Sequence, residues 1–137
     1  ILAFTIPGEP VAKARPRMTR QGRTYTPSRT VNYETLIKEC FASTFPGHVP
    51  LEGALVLNVQ AHFAIPASWS LKKQRLAYDC QLRPTKKPDV DNVIKSVADS
   101  LNGIAWRDDS QIVTVIASKW YSDRPRVEIE ITEFGEL

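Results

Sequence analysis

Apolar positions along this chain follow two periods, and the switches between them mark out the elements. Leu2, Phe4 and Ile6 recur at every second residue ahead of Pro7, which predicts a short first strand. Residues 8–22 are rich in proline, glycine and arginine, lack a helical period and read as a long basic loop, with a return to strand over 23–25. Beyond Ser28, which suits an N-cap, Tyr33, Leu36, Ile37, Cys40, Phe41 and Phe45 fall three or four residues apart, predicting a helix over 29–45 with one apolar face. Pro46, Gly47 and Pro50 end it. Leu55, Leu57, Val59, Ala61 and Phe63 then alternate with Val56, Asn58, Gln60 and His62 in a long strand. Ser70 can cap a short helix running to about residue 79, and 83–88 form a basic connector bracketed by prolines. Val90, Val93, Ile94, Val97, Ala98 and Leu101 define a second amphipathic helix, stopped by Asn102 and Gly103. Two strands follow, over 111–121 and 126–132, the latter setting Val127, Ile129 and Ile131 against Arg126, Glu128 and Glu130.

This order predicts one α+β domain over 1–137, with a mixed or antiparallel sheet flanked by helices. At 137 residues the chain is of single-domain size, and with 42% hydrophobic residues it can build its own core. The longest uncharged stretch, 53–71, is broken by Asn58, Gln60, His62 and Pro66, so no membrane span is expected. Cys40 and Cys80 have no CxxC partner, which excludes a disulfide scaffold, argues against a zinc cage and suits a reducing cytoplasm. Cys40 falls on the apolar stripe of the first helix, the place of a small core residue.

The net charge is only +3, but its placement is uneven. Between residues 10 and 30 lie Lys13, Arg15, Arg17, Arg20, Arg23 and Arg29 with no acid; Lys72, Lys73, Arg75, Arg83, Lys86 and Lys87 form a second block interrupted only by Asp79. Concentrated Lys and Arg suit a phosphate backbone, although solvated loops explain either block alone equally well.

Directly after the second block comes an acidic constellation. Asp89 and Asp91 stand two apart at a helix entrance, and Asp108 and Asp109 follow the exit loop. That helix and loop are expected to fold the two pairs together. Mg²⁺ takes oxygen ligands, commonly one or two carboxylates plus water and phosphate, so aspartates beside a basic surface suit metal-assisted phosphodiester cleavage. Each residue also has a plainer explanation. Asp89 can be an N-cap, Asp91 can favour the helix dipole or pair with Lys95, and Asp108 and Asp109 can be turn residues. Asp99, in mid-helix, has the strongest claim to a structural role.

Residues 87–113 closely resemble the signature of the RusA family of Holliday-junction resolvases: D-x-D-N-x-x-K, then D-x-L, a short turn and W-x-D-D-x-Q-[IV], without a gap. Residues 6–17 and 24–27 are similar to the opening of phage and prophage members. The resemblance implies a homodimeric, Mg²⁺-dependent endonuclease, with Mn²⁺ as a substitute, that binds four-way DNA junctions and makes paired nicks. It places metal-binding aspartates at Asp89, Asp91 and Asp109, the family's important lysine at Lys95, and supporting roles at Asp108 and Asn92. Lys13, Arg15, Arg17, Arg20, Arg23, Arg83, Lys86 and Lys87 would hold the DNA backbone, and a bacterial or phage-encoded protein acting in the cytoplasm is expected. Tyr25 and Trp106 are candidates for stacking on an opened base, with core packing the commoner fate of such rings. His48 and His62 carry no expected catalytic role. A less selective flap or fork nuclease and a non-cutting branched-DNA-binding module remain as alternatives.

Overall fold

The computed structural model describes residues 1–11, 13, 17–25 and 28–135. Arg15 and the Arg17 side chain, expected to contact DNA, lie outside the described residues. Strand β1 (Leu2–Pro7) pairs antiparallel with β6 (Arg126–Glu133), and β6 pairs antiparallel with β4 (Leu55–Ala64). On the other side of β4 runs β5 (Ile112–Ser122), parallel to it, so the sheet order is β1-β6-β4-β5. The sheet is thus mixed, one of the two arrangements, mixed or antiparallel, that the element order allows. A parallel neighbour needs a crossover of a dozen or more residues, and the chain between β4 and β5 supplies it.

That crossover contains α2 (Leu71–Tyr78) and α3 (Val90–Leu101). The Ser70 side chain accepts from the Lys73 backbone amide at 3.2 Å, which caps α2 as its sequence position implies. The remaining helix, α1 (Ser28–Thr44), packs on α3 and β1. Alternation along β4 buries Leu55, Leu57, Val59, Ala61 and Phe63 against the stripes Tyr33, Ile37 and Phe41 of α1 and Val93, Val97 and Leu101 of α3. Phe41 meets Phe4 edge-on at 5.4 Å and Phe45 at 5.0 Å. Cutting such a ring back to alanine costs about 3–5 kcal/mol. Cys40, half-buried, packs against this cluster, and burial pushes its thiol pKa up.

The other face of β4 is polar. Asn58 Oδ1 accepts from Gln60 Nε2 at 2.8 Å, and Gln60 Oε1 accepts from Trp120 Nε1 at 2.6 Å. His62 lies 3.7 Å from Glu128, its pKa lowered by burial and by Arg126. The ring of His48 packs against Phe41, and its Nε2 lies 3.0 Å from the Ala105 carbonyl. Both histidines thus pack against the sheet and α1.

Residues 17–25 of the basic region form a hairpin. β2 (Arg17–Met18) and β3 (Thr24–Tyr25) form a two-stranded ribbon closed by the Thr19 amide donating to the Arg23 carbonyl at 2.7 Å. Gly22, at φ +82°, takes the left-handed turn conformation that lets the ribbon reverse.

Candidate active site

Helix α3 begins at Asp89, and the backbone of that residue does the capping. Its carbonyl accepts from the amides of Asn92 at 3.1 Å and Val93 at 3.2 Å, while its carboxylate makes no cap hydrogen bond. Asp91 and Lys95 follow on the exposed side of the helix, opposite the buried Val93, Val97 and Leu101. Among the described residues Lys95 forms no ion pair with Asp91 or Asp99, so the i,i+4 pairs that its spacing allows are not made. Two carboxylates and an ammonium therefore share the start of one helix with their charges unneutralised by one another. The helix N-terminus adds a favourable field for the acids.

Asp99 pairs instead with Lys13, whose ammonium lies 2.5 Å from Glu34 and 3.5 Å from Asp99. The Lys13 amide donates to the Asn92 carbonyl at 3.4 Å, and the Ser96 hydroxyl donates to the Val11 carbonyl at 3.0 Å. Together these contacts fasten the chain after β1 to α1 and α3. The Glu34 hydrogen bond raises the Lys13 pKa and keeps it charged. Lys13 was expected to face DNA; its charge is spent inside the protein because two acids reach it from neighbouring helices. The other cations differ among themselves. Arg20, Arg23, Arg83, Lys86 and Lys87 are all exposed, and Arg83 in addition stacks 3.4 Å from the Trp120 ring and donates to the Lys119 carbonyl at 2.5 Å.

At the far end of α3 the acids are engaged. Asp108 caps a 3-10 turn (Asp109–Gln111), accepting from the Ser110 amide at 2.9 Å, and this contact lowers its pKa. Gln111 completes the reciprocal box: its Oε1 accepts from the amides of Arg107 at 2.8 Å and Asp108 at 2.9 Å. Its Nε2 donates to the carbonyls of Leu51 at 2.9 Å and Gly53 at 3.0 Å. One amide side chain thus ties the turn to the approach to β4. Trp106 is fully buried and donates its indole N–H to Asp109 Oδ1 at 2.7 Å. It packs in the core and is no stacking platform, whereas Tyr25 is exposed on the ribbon. The reciprocal box was legible as Asp108-x-x-Gln111; the Trp106–Asp109 bond had no such signal.

The two acidic pairs do not come together within the chain, contrary to the expectation that the helix and its exit loop would join them. The 12 residues of α3 separate them, about 18 Å at ~1.5 Å rise per residue. Asp89 sits where β4 ends, since Lys86 just before it accepts from Lys119, the β5 residue opposite Ala61. Asp109 sits where β4 and β5 begin, as Leu55 opposes Ile112. Among the described residues no three His, Cys, Asp or Glu side chains are grouped to hold a metal ion. A single chain therefore does not fit the three-aspartate metal site that its motif implies.

A single α+β domain with unengaged aspartates and a lysine at a helix start, beside an exposed basic connector, has the chemistry of a protein acting on phosphodiesters. The model of the family "Endodeoxyribonuclease RusA" matches residues 7–132, and the chain belongs to that family. It is 40% identical to the "Uncharacterized protein YqaN" of Bacillus subtilis (strain 168), over 96% of each chain. It is also 34% identical, over 70% of its length, to the "Crossover junction endodeoxyribonuclease rusA" of Lactococcus phage r1t, of which the match spans 61%. No helix among the described residues is long and apolar enough to cross a membrane.

Proposed function

We propose that this chain is a structure-specific endodeoxyribonuclease that resolves four-way DNA junctions as a homodimer, with Mg²⁺ as cofactor and Mn²⁺ as its substitute. The reading rests on membership of the family and on the name of the phage relative. One observation carries it further: Asp89 and Asp91 stand exposed at the start of α3, and the Asp89 carboxylate makes no helix-cap bond.

In this reading Asp89, Asp91 and Asp109 are the acidic groups on which cleavage depends. Lys95, one helical turn beyond Asp91, offers an ammonium to the scissile phosphate and the charge that develops on it. Asn92 orients the helix entrance, and Asp108 holds the turn that carries Asp109. Arg20, Arg23, Lys86 and Lys87, exposed and on loops, contact phosphates without reading sequence. A homodimer places two equivalent sites on one junction, so paired nicks follow from two-fold symmetry. The protein would act in the cytoplasm of a bacterium, on its own or phage DNA.

The test is cleavage of a synthetic four-way junction with linear duplex and a flap as competitors, in Mg²⁺ and again with EDTA. Paired, chelator-sensitive nicks confined to the junction are expected. Equal cutting of the flap would make this a general branched-DNA nuclease, and tight binding without cutting would make it a binding module.

A further inference from the structure

We infer that the hollow between the end of α2 and the polar face of the sheet, lined by Tyr78, Trp120 and His62, is a separate DNA site that receives an unpaired nucleobase of the branched substrate. This deepens the nuclease reading and rests on it for the choice of ligand.

On the polar face a row of planar groups crosses three strands. Register sets Trp120 of β5 beside His62 of β4, and His62 beside Arg126 of β6. The connector extends the row, its Arg83 guanidinium lying 3.4 Å from the Trp120 ring. Hydrogen bonds hold the row in place: Trp120 Nε1 donates to Gln60 Oε1 at 2.6 Å, and Arg126 donates to Glu128 at 2.7 Å and to the Ser122 hydroxyl at 3.0 Å. Beside it α2 ends at Tyr78, leaving a hollow of about 380 Å³, within the range of small-ligand clefts. Tyr78 is 60% exposed, and among the described residues no hydrogen bond or ring contact holds its side chain. Its ring is free to cover a flat ligand.

The charges around the hollow select the occupant. Two adjoining hollows share Tyr78 and Arg126 with it and are lined by Arg75 and Arg124. Arg75, Arg83 and Arg124 are exposed and make no ion pair among the described residues. Rings flanked by unpaired cations suit single-stranded nucleic acid, the rings taking bases and the cations the phosphates between them. Asp123, the one acid in the lining, offers an acceptor to a base N–H. The site also lies on the path of the DNA. Lys119, next to Trp120 along β5, donates to the Lys86 carbonyl at 2.5 Å, and the same connector runs on through Lys87 to Asp89. A strand held by Lys86 and Lys87 can therefore pass round the β5 edge and bring a base to Tyr78. Unstacking that base costs least where pairing is already interrupted, as at a branch point.

Fluorine NMR of 5-fluorotryptophan protein tests this, since Trp69, Trp106 and Trp120 give one resonance each and Trp120→Phe assigns the last. Titration with a thymidine tetranucleotide in EDTA should shift the Trp120 resonance saturably and leave that of the buried Trp106 in place. An abasic tetranucleotide of the same charge should bind about tenfold more weakly, and Tyr78→Ala should weaken binding of the thymidine strand by a similar factor. Leu71→Ala, an exposed apolar change on the same helix outside the hollow, should leave the affinity unchanged. An unmoved Trp120 resonance, equal binding of the abasic strand, or wild-type affinity in Tyr78→Ala overturns the inference. These titrations need no cleavage, so the two readings fail separately. A shifted Trp120 in a protein that cuts no junction removes the nuclease reading alone, and junction cleavage by a protein whose Trp120 does not respond removes the base site alone.

Discussion

Helix α3 starts on Asp89 and Asp91, whose carboxylates are exposed and make no cap bond, whereas beyond its other end Asp108 and Asp109 are held by the Ser110 amide and the Trp106 indole. In sequence the two pairs look alike. In the fold, the first is solvated and makes no bond within the chain, so it is open to a ligand from outside, and the second contributes to stability directly. Substitution at the first end should therefore change activity and leave stability alone, while substitution around the second should change both.

The largest effect is expected from Asp91→Asn. Loss of even supporting groups around metal sites costs about 10–100-fold, so junction cleavage should fall by at least the upper end of that range. Its urea midpoint should stay within about 0.5 kcal/mol of wild type, as for other exposed changes. A destabilisation matching that of a core substitution would erase the contrast between the ends. Next comes Trp106→Phe, which removes the indole donor to Asp109 and leaves a small void. A loss of about 1–3 kcal/mol by urea denaturation is expected, together with reduced cleavage. Unaltered stability would show that the 2.7 Å bond does not hold the turn.

Lys13→Met tests the fastening of the chain after β1 and should cost about 1 kcal/mol at pH 8. Because the Glu34 hydrogen bond raises the Lys13 pKa above its ordinary 10.5, this contribution is full below that value and fades as pH rises through the folded one. The gap between wild type and variant in thermal melts should close only in strong alkali. The smallest effect is expected from Asp108→Asn. The Ser110 contact lowers the Asp108 pKa, so its stabilisation is present above the ordinary carboxylate range and disappears as pH falls through the lowered value. A slight decrease in melting temperature at pH 7 should vanish toward pH 3.

What the sequence made legible was local. The bounds of α3 and the Ser70 cap follow from 3.6-residue periodicity and a hydroxyl at the right place, and the order of elements gives an α+β domain whose sheet is mixed or antiparallel. The parallel partnership of β4 and β5 was not legible, because strand pairing joins segments far apart and leaves no periodic trace in either. The Lys13 ion pairs were not legible for the same reason: its partners Glu34 and Asp99 are distant in sequence, and composition alone made it one more cation of a basic loop. The aspartate spacing identified the residues of interest without their arrangement. Twenty residues of separation, from Asp89 to Asp109, say nothing of whether a rigid helix holds the ends apart or a bend brings them together.

The four hydrogen bonds of Gln111 lock the Asp109 turn to the start of β4, one residue ahead of β5. Asp109 is therefore carried by a braced corner of the sheet and moves only with it. Under the proposed homodimer, mass action governs paired cutting. Well below the dissociation constant of the dimer, the yield of paired nicks per chain should fall in proportion to protein concentration.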